Sequence, residues 1–148
     1  MADTLKLRIV TPRGVVYDRE VAMVTLPAQD GELGVYPTHT PLFTLIGQGE
    51  VIAKATGKED RILVTGGCAE ITGDAVSILT VFATDEERVD ERQAEEARRR
   101  AEERLKERDK LSPEELALVQ ASLAHSTAQL RVRRRRRPGQ PPGGGSQG

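Results

Sequence analysis

Cysteine is almost missing from these 148 residues. Cys68 stands alone, so no disulfide closes within the chain and a reducing compartment is expected. Gly66-Gly67 before it and Ala69-Glu70-Ile71 after it supply no cation to lower the thiol pKa, so it reads as a small buried strand residue. Aromatic side chains are scarce too, 3% of the chain with no tryptophan. Any core is therefore built from Val, Ile, Leu and Ala. No apolar run approaches the ~20 residues that span a bilayer, and Met1-Ala2-Asp3-Thr4 lacks the charged-then-apolar pattern of a secretion signal. A soluble chain is expected, with membrane association only through partners. An excess of one charge is also absent: Lys+Arg 22 against Asp+Glu 23 leaves a formal net charge of −1. Whole-molecule charge thus argues for neither a nucleic-acid binder nor a membrane-surface binder.

Catalytic patterns are missing as well. The two histidines, His39 and His125, fall in different modules, and no C-x-x-C, H-E-x-x-H, P-loop or G-x-S-x-G arrangement occurs. Gly66-Gly67 and Gly47-Gln48-Gly49 do not lead into helices, so they are not phosphate cradles. The chain reads as non-catalytic and needs no metal or cofactor of its own.

What is present is short alternating strands, then helix. Leu5, Leu7 and Ile9 alternate with Lys6 and Arg8, the two-residue period of a half-buried strand. Thr11-Pro12-Arg13-Gly14 is a turn, and Val15-Val16-Tyr17 begins the return. Residues 21–26 form a second β-rich run. Asp30-Gly31-Glu32-Leu33-Gly34-Val35-Tyr36-Pro37-Thr38-His39-Thr40-Pro41 reads as a structured loop, its glycines and prolines fixing the backbone. Beyond it, 42–46, the alternating set Val51, Ala53 and Ala55, then 61–65, 68–72 and 75–82 complete the strands. Strands at this spacing with Gly/Asp turns predict an antiparallel β-sandwich or barrel over residues 1–84.

At Asp85 the composition changes. Residues 85–110 hold 11 acidic and 9 basic side chains around a narrow stripe of Ala94, Ala97, Ala101 and Leu105. This predicts an amphipathic helix, with Thr84 and Glu87 as its capping box and Glu95–Arg99, Glu96–Arg100 and Glu102–Lys106 as supporting pairs. Ser112-Pro113-Glu114-Glu115 starts a second helix, striped by Leu116, Val119, Leu123, Thr127 and Leu130. Two such helices joined within a few residues predict an antiparallel hairpin over 85–135, latched lightly because alanine offers little to bury. Residues 136–148, rich in Pro and Gly, have nothing to bury and are expected to be disordered. The six arginines at 131 and 133–137 admit three readings. They could be a solvated helix end, a surface for an acidic partner, or a nucleic-acid-binding cluster; the last lacks aromatic interleaving.

The string G-E-L-G-V-Y-P-x-H-x-P-L-x-T, residues 31–44, resembles the conserved loop of the epsilon subunit of the proton-translocating F-type ATP synthase, with Thr38 and Thr40 where family members more often have Gly and Ala. The resemblance runs from about Leu5 to Val132. It implies a sandwich bound to the gamma subunit on one face and to the membrane-embedded c ring through Thr11, Gly31, Glu32 and His39. Read from the residues alone, Glu32 is equally a solvated carboxylate, and His39 a side chain holding its own turn. The resemblance further implies a rotor role in the central stalk, coupling c-ring rotation to ATP synthesis, at the cytoplasmic face of the cell membrane. It implies too a hairpin that restrains hydrolysis, with the basic end Arg131, Arg133, Arg134 and Arg135 meeting acidic segments of the alpha/beta head. Many bacterial members bind ATP through an Asp-x-x-Arg-Ala pattern and further arginines. Here Asp90, Ala94 and Arg100 match, but Gln93, His125 and Gln129 stand where cations are expected. Triphosphate recognition relies on permanently charged bidentate donors, so ATP binding is expected to be weak or absent. The rival expectation is an arginine-tailed nucleic-acid binder or scaffold with no role in energy conversion.

Overall fold

The computed structural model describes residues 4–135; the tail at 136–148, expected to be disordered, lies outside the described residues. The chain divides into two compact units, one ending at Glu87 and the next beginning at Arg88.

In the first unit the alternating pattern becomes β1 (Leu5–Thr11), with Leu5, Leu7 and Ile9 buried and Lys6 and Arg8 exposed. It is followed by β2 (Gly14–Val21), β3 (Met23–Ala28), β4 (Gly31–Val35), β5 (His39–Ala55), β6 (Lys58–Gly73), β7 (Ala75–Thr80) and β8 (Ala83–Asp85). The hydrogen-bonded order is β2-β1-β7-β6-β5-β3-β4, with β8 also on β6. Among the described residues only β1 and β7 run parallel; the other pairs are antiparallel.

Three expectations are corrected here. Gly31–Val35 is a strand at the end of the sheet, hydrogen-bonded to β3, not part of a loop. The runs expected at 42–46 and 51–55 are one strand, and so are those at 61–65 and 68–72. The glycines between them bend the ladder without ending it, because pairing resumes on either side, at Ile46 with Gly67 and at Gln48 with Thr65. Gly66 and Gly67 hold φ of 64° and 133°, a region only glycine enters cheaply. Before this bend β6 pairs with β8, after it with β7. The strands thereby wrap as a β-sandwich around one core that includes Leu5, Ile9, Val24, Val51, Ile62, Ile71 and Ile78. Cys68 is the third correction: it is half-buried, not buried.

A polar tie crosses this core. The Tyr17 hydroxyl donates to Asp60 Oδ2 at 2.8 Å, and Arg19 and Lys58 approach the same carboxylate at 3.6 and 3.7 Å. Asp60 is buried, and a buried carboxylate survives only with such partners. Strands β2 and β6 are not neighbours in the ladder, so the bond adds a link the backbone does not make.

The second unit is a helical hairpin. Helix α1 is Glu91–Leu105, capped by Asp90, which accepts from Arg92 N at 3.0 Å and Gln93 N at 3.3 Å. Thr84 does not cap it, since its backbone is committed to β8 opposite Leu63. The helix stops at Leu105 and not at Lys110; a 3-10 turn at Arg108–Lys110 follows. Ala94 and Ala101 are buried and Ala97 and Leu105 half-buried, the expected stripe. Its ion pairs are Arg92–Glu96 and Arg98–Glu102, in place of the three expected from the sequence. Helix α2 is Pro113–Arg135, and it packs along α1. Val119 and Leu130 are buried as expected, but so are His125 and Ser126. Ser126 and Thr127 satisfy their hydroxyls by donating to the carbonyls of Ser122 and Leu123, at 2.8 and 2.9 Å.

Candidate functional site

Side chains alternate across a strand, so residues paired across the ladder share a face. On the inner face Tyr17, Ile9, Ile78 and Ala69 form a buried row. One residue further along, the outer face carries a row that is also apolar. Val15 pairs with Val10, Val10 with Leu79, Leu79 with Cys68, and Cys68 with Leu45. Five strands contribute, and Val15, Leu79 and Leu45 are 49%, 55% and 53% exposed. Phe43, two residues before Leu45 on the same face, is 65% exposed. A contiguous exposed apolar face of this kind marks a docking surface. Sequence reasoning missed it. The available signal was that Leu45-Ile46 and Ile78-Leu79 place apolar residues on both faces of strands whose neighbours alternate.

The four residues singled out for a ring contact separate into two places. Thr11 closes the β1–β2 turn, where its Oγ1 accepts from Arg13 N at 3.2 Å and donates to the Gly14 carbonyl at 3.3 Å. One register row runs from this turn through Thr80, Gly67, Ile46 and Ala28 to Gly31. Glu32, opposite Pro27, is exposed beside Gly31. Thr11, Gly31 and Glu32 therefore lie at about one level of the ladder, with β1 and β4 five strand spacings apart in it. His39 lies off this row. It begins β5 opposite Gly73, seven residues and roughly 20 Å of strand away from Ile46 at ~3.3 Å per residue.

In the helical unit the nucleotide-like residues hold structural posts. Asp90 spends its carboxylate on two amides of the first turn of α1, and Ala94 is buried in the stripe. Gln93 and Arg100 are exposed. His125 is buried, and burial lowers its pKa to about 4, so at neutral pH it carries no charge. Three of the positions therefore supply no cation: Gln93, His125 and Gln129. Arg131, Arg133 and Arg134 are exposed near the end of α2, with Arg135 its last residue.

Among the described residues no group of three His, Cys, Asp or Glu side chains is placed to hold a metal. No described helix is long and apolar enough to cross a membrane.

Comparison with known proteins agrees with both units. Residues 4–86 match the beta-sandwich domain of the ATP synthase Delta/Epsilon chain, and residues 87–133 match its long alpha-helix domain. The chain is 40% identical to the ATP synthase epsilon chain of Bacillus licheniformis over 121 residues, covering 82% of this chain and 89% of that one. It is 40% identical to the epsilon chain of Nitrosomonas eutropha over 138 residues, 93% of this chain and 97% of the relative. Among solved structures it shares the fold of a chain in the Euglena gracilis mitochondrial ATP synthase assembly of OSCP, F1 and c-ring. There the TM-score is 0.60 at 24% identity, covering 90% of this chain and 82% of that one. With both of its units matched in order and relatives aligned over most of their length, the chain belongs to the family of ATP synthase epsilon chains.

Proposed function

We propose that the chain is a rotor subunit of the central stalk, joining the gamma subunit to the c ring so that proton-driven rotation reaches the catalytic head. The observation that carries this reading is the outward apolar row of Val15, Val10, Leu79, Cys68 and Leu45, flanked by Phe43. A subunit that transmits torque needs a rigid body with one broad adhesive face, and each large side chain fully covered there contributes about 1.5–3 kcal/mol. The gamma subunit is the proposed occupant. The level of the ladder holding Thr11, Gly31 and Glu32 is the proposed contact with the polar loops of the c ring. His39, at the start of β5 and off that row, is left out of that contact. The complex sits at the cytoplasmic face of the membrane, with this chain peripheral.

The hairpin is the proposed brake on ATP hydrolysis. Opened, α2 brings Arg131, Arg133, Arg134 and Arg135 to acidic segments of the alpha/beta head. Within this role the chain has no catalytic step of its own and no nucleic-acid partner.

The test is co-purification. Leu45→Glu combined with Leu79→Glu places two charges on the outward face while leaving the inner core intact. The doubly substituted chain is expected to keep its circular dichroism and melting temperature but to lose capture of gamma. Undiminished capture refutes the assigned face.

A further inference from the structure

The connector between α1 and α2 is made of short helical turns on either side of Glu107. Lys106 and Glu107 amides donate to the carbonyls of Glu103 and Arg104 at 3.2 and 3.0 Å, and Lys110 and Leu111 to those of Glu107 and Arg108 at 2.9 and 3.1 Å. Such i→i−3 bonds are the tighter 3-10 form that commonly ends or joins α-helices. A small rearrangement would then merge α1 and α2 into one rod. Glu107, at φ −107° and ψ 28°, would have to turn to helical angles, and the obstacles that side chains and proline fix in place lie at Leu111, Ser112 and Pro113.

Leu111 is extended, with φ −97° and ψ 141°. Pro113 is the first residue of α2, where a missing amide costs nothing. Inside a merged helix the same proline would leave the Asp109 carbonyl without its donor and press its ring against it. It also disfavours helical angles at Ser112. Ser112 is engaged elsewhere: its Oγ accepts from the Glu115 amide and donates to Glu115 Oε1, both at 3.1 Å. The Glu115 carboxylate also reaches Arg104 of α1 at 3.6 Å. One side chain thus completes the cap of α2 and touches the end of α1.

We infer that residues 111–115 form a stop against helix fusion, so that the arm opens as two rods about a fixed break and never as a single rod. This rests on the hairpin-opening reading above and adds the shape of the opened arm. The break decides where the basic end of α2 can travel: it swings on an arc about Ser112, where a fused rod would hold it on the axis of α1.

The test uses the full chain carrying Cys68→Ser, with spin labels on Glu102→Cys and Gln120→Cys, in trifluoroethanol, which dissolves tertiary contacts and keeps helices. A continuous helix would set these positions about 27 Å apart at 1.5 Å per residue. The chain with Pro113 is expected to show a broad distance distribution, and the Pro113→Ala chain a narrow one near that value. A narrow population near that distance in the chain with Pro113 overturns the inference. So does a Pro113→Ala chain that stays as broad as its parent. The measurement needs no partner subunit. Failure of the brake, read as hydrolysis indifferent to loss of the hairpin, therefore leaves it standing.

Discussion

Gly67 shows how much one residue decides. A Cβ built on it would lie 2.0 Å from the Leu79 carbonyl oxygen, and its φ is +133°. The bend that turns β6 from its β8 partner to its β7 partner therefore requires the missing side chain. Gly67→Ala is expected to destabilise the sandwich by at least about 2 kcal/mol, read as a lowered midpoint in urea; an unchanged midpoint would mean the strand bends without it. His125 gives the hairpin a pH dependence. Its folded pKa, about 4, lies below the ordinary 6.5 because burial disfavours the imidazolium. The unfolded chain then binds the proton more readily, so stability is complete above pH 6.5 and declines as the pH falls toward 4. The loss approaches about 3 kcal/mol. Hydrogen exchange of α2 amides is expected to quicken over that window, and His125→Gln to flatten the response.

At the scale of elements, the helices divide their labour unevenly. Helix α1 is mostly charge around an alanine stripe, and α2 brings the larger apolar groups. This is the composition of a latch, because an alanine seam buries little area. The cap and the stripe of α1 also absorb the residues that resembled a nucleotide site. Asp90 is occupied by helix amides, Ala94 is packed, and His125 is neutral. Isothermal titration with Mg-ATP is therefore expected to show no binding at micromolar concentrations. A dissociation constant in the low micromolar range would demand cationic donors that Gln93, His125 and Gln129 do not provide.

For the whole molecule, the consequence of two units is that they can be separated. The first unit closes its core without any residue of the hairpin, since every member of its buried cluster lies between Leu5 and Ile78. Ending the chain after Glu87, which keeps β8 whole, is expected to leave assembly with gamma intact and to raise ATP hydrolysis by the assembled enzyme several-fold. Hydrolysis at the parent rate would remove the brake from the proposal. The outward row, by contrast, is a property of the assembled sheet. Val15, Leu79 and Leu45 are far apart in the chain and meet only because β2, β1, β7, β6 and β5 stack in that order.

The sequence by itself determined the class of fold and the change of regime near residue 85. It also determined the start of α2, because alternation, charge periodicity and a Ser-Pro-x-Glu cap are local signals that act through neighbouring residues. It misplaced the start of α1, since Thr84 and Asp90 are both competent caps and only pairing with Leu63 removes the first. It showed glycines at 47–49 and 66–67 as breaks, because nothing local tells a bend in a ladder from the end of one. The register that sets His39 off the row of Thr11 and Gly31, the neutrality of His125 and the outward apolar face were decided by tertiary structure alone. Each depends on which distant backbone supplies the next hydrogen bond or excludes the last water, and no window of sequence contains that information.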